Sequence, residues 1–405
     1  MEPETAQDIS RFQPVIEAAE RVLTASVQTP VELGETEVLS DQDRRNALLR
    51  CRNLSGSSPS HFIIKQVVAE KYNPDDTDSW DVKRFFKDWA GVRFLSELEI
   101  APAFSPRYYG GDRALGFFVI EDLGPHRSLV EPLLEETYES AGEALRAYSS
   151  AVGRMHAATL ERAAHYRQIG KDLRAETAID SGSVEDIAAF TAKIAALFEP
   201  LGIEMDGGAT AEIARVYEAI ENPGPFDAFI HGDACPDNIF ITGKDVRLID
   251  FEFAHYGHAL TDAVYGRMLF PTCWCCNRLP PQIVLSMETA YRTELARALP
   301  QAQDDAVYEG EMLYACAHWA LRTLSWQLER TLKEDSQWGI ATVRSRVLAR
   351  LEAFISISKA SGQFPGLRGV MSSVLDALRQ RWPETEPLPL YPAFREKDER
   401  HATTT

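Results

Sequence analysis

Cysteine is scarce in this chain: 6 residues in 405, three of them crowded between Cys273 and Cys276. That is too few and too clustered for a disulfide framework. Long apolar runs are missing too, and none approaches the roughly 18 to 20 residues that a membrane span needs. The opening MEPETAQDIS is acidic and polar, unlike the basic and then apolar start of a secretory signal, so a cytoplasmic protein is expected. Positive charge is in deficit, with 42 basic against 61 acidic residues and a formal net charge of -19. Such a field repels nucleic-acid phosphates and anionic membrane surfaces, which excludes both as partners, and permits a small cationic ligand. No internal repeat is evident. At 405 residues the chain exceeds what one compact core usually serves, and two lobes are expected.

What the chain does have is concentrated in His231 to Glu252, HGDACPDNIFITGKDVRLIDFE. Ile239 to Thr242 and Val246 to Ile249 are short apolar, β-branched runs separated by the turn-forming Gly243-Lys244-Asp245. A hairpin folded about Lys244 sets Asn238 opposite Asp250. Directly opposed residues lie about 4.5 to 5.5 Å apart at Cα, so both side-chain oxygens reach one small hard cation at about 2.1 Å. Asp233 sits just before the first strand. Phosphoryl transfer needs metal ions on the phosphates and a carboxylate that orients the attacking hydroxyl and takes its proton. Asp233 suits the base, Asn238 and Asp250 the metal.

Position by position, His231, Gly232, Asp233, Asn238, Ile249, Asp250, Phe251 and Glu252 resemble the signature of the aminoglycoside phosphotransferase and choline kinase family. The resemblance runs from about Val31 to Leu269 and implies an α+β, protein-kinase-like two-lobed fold. A small, mainly antiparallel β lobe would occupy residues 1–124 and a larger helical lobe 125–405. It also implies ATP and Mg2+ as cofactors and transfer of the γ-phosphoryl group to a hydroxyl of a small molecule: aminoglycoside-like, choline-like or another alcohol. A catalytically silent kinase-like nucleotide-binding module is the alternative, because Ser40 to Arg45 holds none of the glycines that protein kinases place over the phosphates. A protein kinase is disfavoured, since H-G-D stands where that branch has H-R-D.

In the amino-terminal part, apolar spacing predicts a helix over Phe12 to Val27 and strands over Val31 to Leu39, Ala47 to Asn53 and Phe62 to Val68. By resemblance, Lys65 on the third strand holds the nucleotide's phosphates and takes an acidic partner from the next helix. In that helix, Ser79 to Leu98, Phe85, Asp88, Val92 and Leu95 share one face of a 3.6-residue period. An aspartate in an apolar face needs a partner, which makes Asp88 the candidate. Glu99, near the helix end beside Pro102, is the other; the family usually has glutamate as the partner. Arg44 and Arg45 read as solvated loop arginines. The buried strand from Gly116 ends at Gly124-Pro125, and by resemblance Glu121 to Leu123 offer a backbone carbonyl and amide to the adenine edge.

The carboxy-terminal part begins with a helix over Glu143 to Leu160 that packs His156. From Glu161 to Ile230 there are 13 acidic and 6 basic residues, a balance of -7, in the region where relatives build the acceptor pocket. By resemblance Asp262 braces the loop leaving the metal site. Cys273 and Cys276 have C-x-x-C spacing, but no second pair follows to complete a zinc site, so packing or an acceptor-pocket wall is expected for them and packing for Cys235. Helical patterns over Gln282 to Leu299, Asp304 to Lys333, Trp338 to Ala360 and Leu367 to Trp382 complete the chain. Lys397 to Thr405 is expected to be disordered.

Overall fold

The computed structural model describes residues 9–40, 45–68, 72–180, 186–242 and 245–395. Arg44, the hairpin tip at Gly243 and Lys244, and the tail from Lys397 to Thr405 lie outside them. Helix α1 (Gln13–Val27) is followed by β1 (Leu33–Val38), β2 (Asn46–Asn53), β3 (His61–Val67), α2 (Trp80–Glu97), β4 (Tyr108–Asp112) and β5 (Phe117–Glu121). After β6 (Arg127–Ser128) come α3 (Val130–Glu135), α4 (Tyr138–Thr159), α5 (Ala163–Asp172), α6 (Glu176–Asp180), α7 (Ile187–Phe198) and α8 (Gly207–Glu221). Four short strands follow, β7 (Asp227–Ile230), β8 (Ile239–Thr242), β9 (Asp245–Leu248) and β10 (His255–His258). The remainder is α9 (Leu260–Ala263), α10 (Pro281–Leu295), α11 (Asp305–Lys333), β11 (Gln337–Trp338), β12 (Ala341–Thr342), α12 (Val343–Ser361) and α13 (Pro365–Arg381).

Two compact units divide these elements. One takes the chain up to His126 and adds Ala164–Ser181 and Arg247–Ala254; the other holds Arg127–Ala163, Gly182–Val246 and the chain from His255 on. The architecture is α+β, with a mainly antiparallel sheet in the first unit and a larger helical second unit, as the sequence predicts.

The first unit is built on an antiparallel sheet ordered β1-β2-β3-β5-β4. Side chains alternate across a strand, so in β3 Phe62 and Ile64 face one way and Lys65 the other. Phe62 and Ile64 pack with Leu49, Cys51, Val119 and the α1 residues Ile16, Ala19 and Leu23. Lys65 pairs in register with Leu48 and Phe118. Phe118 lies against Phe85 and Trp89 of α2, with ring centroids 5.7 and 5.9 Å apart. The aromatic face of α2 thus covers the side of the sheet that bears Lys65. Strand β4 (YYGGD) is absent from the sequence reading. Its Gly111 is required by proximity, since a Cβ there would stand 2.5 Å from both the Trp89 ring and the Phe117 carbonyl.

In the second unit β7 pairs with β10, and β6, β8 and β9 form a small sheet in that order; the chain passes into the first unit within β9. Helix α4 packs closely on α10, and a Cβ added at Gly153 would meet the Tyr291 carbonyl oxygen at 2.5 Å. Gly153→Ala gains up to about 1 kcal/mol of helix propensity, but overpacking against backbone costs about 1 to 3 kcal/mol. A net loss of stability is the expected result, read as a lower midpoint in urea. Trp338 to Thr342, expected at the head of a helix, instead forms the β11–β12 hairpin with Gly339 at φ 60°. Helix α12 begins only after Thr342, whose hydroxyl accepts the Ser345 N–H at 3.3 Å. Among the described residues no helix is long and apolar enough to cross a membrane.

Candidate active site

Within the first unit, Lys65 meets two carboxylates. Its Nζ lies 2.6 Å from Asp88 Oδ2 and 2.7 Å from Asp250 Oδ1. Of the two acids considered, Asp88 is the one paired with Lys65, while Glu99 is exposed beyond the end of α2. Burial alone disfavours the lysine's charge, but Asp250 and Asp88 outweigh it and raise its pKa above the ordinary lysine value. The ammonium is therefore permanent. One cation cannot serve two anions fully: burial, with the charge of Asp250 adding to it, raises the Asp88 carboxyl against the opposing pull of Lys65. Asp88 also accepts the Phe251 N–H at 2.8 Å, so a residue of α2 holds the backbone next to Asp250. Asp250 itself sits at φ 66°, in the left-handed region, two residues after β9.

Glu252 is buried and paired with Arg84 of α2, and Arg45 approaches it at 3.5 Å. Neither arginine stands out in sequence as its partner, because Arg84 lies 168 positions away. At the end of β5, Glu121 closes the sheet by donating its N–H to Arg107 O at 2.8 Å and accepting the Arg107 N–H on Oε2 at 3.1 Å. Beyond it, Asp122 turns the chain by accepting the Gly124 N–H at 2.8 Å and binding Arg50 at 2.7 Å. The N–H and C=O of Leu123, between them, have no partner among the described residues.

In the second unit, β7 ends at Ile230 and the chain turns at Gly232, φ 73°. Asp262 holds this turn: its carboxylate accepts the N–H of His231 at 2.6 Å and of Gly232 at 3.1 Å, and lies 3.4 Å from His156 Nε2. Burial pushes the Asp262 carboxyl up, but His156, His231 and the amides outweigh it and hold it below the usual aspartate range. A depressed carboxyl stabilises the fold above the unfolded aspartate pKa, and that contribution is lost as pH falls through the folded value. Asp262→Ala strands the buried N–H of His231, the part-buried N–H of Gly232 and a buried histidine, at an expected cost of about 3 to 5 kcal/mol near neutral pH. Urea titrations at neutral pH and at pH 3 check it: the difference from the natural protein should shrink in acid.

Asp233 follows that turn with its carboxylate held on both oxygens. Thr272 donates to Oδ1 at 2.6 Å, and the Asn238 amide approaches Oδ2 at 3.4 Å while donating to the Asp233 carbonyl at 3.0 Å. The Tyr265 hydroxyl bridges Gly232 O at 3.1 Å and Thr272 Oγ1 at 3.2 Å, and the Tyr148 hydroxyl donates to Ala234 O at 3.1 Å. Burial, reinforced by the charges of Asp233 and Asp262, raises both phenols far above their ordinary value, so they remain O–H donors. Thr272, Tyr148 and Tyr265 carry no sequence signal of their role; the run around Thr272 is conspicuous only for its cysteines.

Two expectations need correction. Asn238 and Asp250 are not opposed in a ladder: Asn238 ends a 3-10 turn (Pro236–Asn238) before β8, and Asp250 follows β9 by two residues, because Asp245 belongs to the strand rather than to the turn. Cys235 is not simply packed. It is disulfide-bonded to Cys273, with Cα atoms 5.5 Å apart, so the C-x-x-C spacing to Cys276 is incidental. Taken singly, the two side chains expected to hold magnesium each offer an oxygen donor. With its nitrogen given to Asp233, the carbonyl oxygen of Asn238 has no partner among the described residues, and Asp250 adds a carboxylate that is one-third exposed. Both are the hard oxygens such an ion prefers.

Residues 81–300, more than half of the chain, match the sequence profile of the phosphotransferase enzyme family. No curated protein matches. Among solved structures the chain is similar to the choline kinase LicA of Streptococcus pneumoniae, at 13% identity and TM-score 0.44 over 85% of this chain and 100% of that one. It is similar to a choline kinase of Cryptosporidium parvum, at 12% identity and TM-score 0.47 over 89% and 99%. The streptomycin–ATP ternary complex of APH(2″)-IIa gives 12% identity and TM-score 0.44 over 84% and 98%.

Proposed function

Because the chain belongs to the phosphotransferase enzyme family, we propose that it transfers the γ-phosphoryl group of ATP, with magnesium, to a hydroxyl of a small molecule. Asp233 is the catalytic base, orienting the acceptor hydroxyl and taking its proton. Lys65 places a permanent positive charge on the nucleotide's phosphates, and Asp88 keeps it aimed. Glu121 and Leu123 receive the adenine, with the amide and carbonyl of Leu123, which have no partner among the described residues, as its edge partners. Asn238 and Asp250 hold the magnesium, which when bound offsets charge on the phosphate oxygens. The acceptor is an alcohol of the aminoglycoside or choline kind, and the acidic surplus of the chain favours one that carries positive charge.

The observation that carries this reading is the buried lysine clasped by two carboxylates, one of them in the signature segment itself. A panel of alcohols, amino sugars and quaternary amino alcohols, incubated with ATP and magnesium and read by mass, tests the proposal. One compound should gain about 80 Da, the mass of a phosphoryl group. Nucleotide binding with no transfer to any of them would favour the silent module instead.

A further inference from the structure

The disulfide lies against the proposed base. Cys235, two residues past Asp233, has its Sγ 3.0 Å from Asp233 Oδ1, the oxygen that also accepts from Thr272 at 2.6 Å. Thr272 immediately precedes the other half of the bridge, Cys273. That second segment has an anchor of its own: buried Arg346 donates to the carbonyl oxygens of Cys273, Trp274 and Trp338. The bridge therefore ties the turn that bears Asp233 to a segment fixed by α12. The Cα atoms of the two cysteines lie 5.5 Å apart, within the range that disulfides span.

Resting on Asp233 as the base, we infer that Cys235 and Cys273 are a reversible thiol–disulfide modification site that sets the readiness of that carboxylate. A small-molecule disulfide is the oxidant. The two cysteines give up two protons and two electrons and join as one S–S bond, while the oxidant's S–S bond breaks to give two thiols. The two states differ at Oδ1. A Cys235 thiol is a donor toward Asp233 at the observed distance; a bridged sulfur has no proton to give. Oxidation thus frees the carboxylate of one hydrogen bond that would compete with the acceptor hydroxyl, and at the same time fixes the catalytic turn against Thr272. Both changes favour transfer, so the bridged form is the faster one. Both sulfurs are buried, 3% and 1% exposed, so exchange requires the loop to open and each state is long-lived.

The intact protein is equilibrated in glutathione buffers of graded potential, alkylated, digested and weighed. The Cys235 and Cys273 peptides should appear joined under oxidising conditions and separately alkylated under reducing ones, with one reproducible midpoint. Full alkylation of both cysteines throughout, joining of either to another cysteine, or a zinc ion retained by the reduced pair with Asp237 in place of the bridge would each overturn the inference. Turnover of an accepted alcohol should fall about threefold to tenfold in kcat on reduction, the worth of one hydrogen bond, with KM for ATP unchanged and full recovery on reoxidation. Cys273→Ser and Cys235→Ser should each sit at the reduced level and ignore the oxidant; equal kcat in both states would refute the control. Should no alcohol be phosphorylated in either state, the function proposed above fails by itself, and amide hydrogen exchange over residues 231–238 decides this one. Slower exchange in the bridged form supports it, and identical exchange overturns it.

Discussion

Asp233→Asn should lower kcat by about 100-fold to 10000-fold, the usual contribution of a positioned proton acceptor, while ATP binds as before. The substitution keeps the shape of the side chain, so Thr272 still finds an oxygen at Oδ1. What it removes is the ability to take the acceptor's proton and the charge that draws the hydroxyl in. Single-turnover phosphoryl transfer, beside a nucleotide titration on the same sample, separates the two effects. If the asparagine variant transferred phosphate within a few-fold of the natural rate, Asp233 would not be the base.

The second large effect concerns stability as well as activity. Lys65→Met leaves Asp88 and Asp250 sharing a pocket with no cation between them. Breaking a buried pair by removing one partner costs about 3 to 5 kcal/mol; because the Asp250 side chain is 34% exposed, the low end is expected. The pH dependence has a definite sign. Burial and the charge of Asp250 already raise Asp88 in the natural protein against the pull of Lys65, and without the lysine only the Phe251 N–H still opposes them. A carboxyl whose folded pKa exceeds its unfolded one binds more protons when folded, so the variant should gain stability as pH falls from 7 toward 5. Urea unfolding across that range checks it. Lys65→Met combined with Asp88→Asn should recover part of the loss at neutral pH, and a double variant no more stable than the single one would mean that the lysine, not carboxylate repulsion, carried the effect. Activity should be lost in both.

Much of this was legible in the sequence because it is local. Residues 231–252 hold their own hairpin and their own spacing, and Asp88 stands out as the one acid in the apolar face it shares with Phe85, Val92 and Leu95. Whatever depends on pairs far apart along the chain was not legible. The Cys235–Cys273 bridge spans 38 positions, and the Thr272 hydroxyl reaches Asp233 across 39; no periodicity encodes such encounters. Strand β4 escaped because two glycines break the alternation that marks a strand, and they stand there because Val22 at Gly110 and Trp89 at Gly111 leave no room for a side chain. The β11–β12 hairpin escaped because its two-residue strands lie directly before a long helix whose apolar rhythm extends backward through Trp338 and Ala341. The exact ends of the β8–β9 hairpin turned on whether Asp245 belongs to the turn or the strand, a choice that single-residue propensity does not make.

The first unit is assembled from three stretches of chain, and the last of them, Arg247–Ala254, brings Asp250 to Lys65 and offers Phe251 to Asp88. A nascent chain leaving the ribosome therefore has its sheet and α2 complete more than a hundred residues before the acid that finishes the lysine's surroundings has been translated. Until then the Lys65–Asp88 couple waits half-made. A fragment ending at His126, however well it folded, would lack that acid altogether, and the carboxyl-terminal remainder would carry it with no lysine to meet.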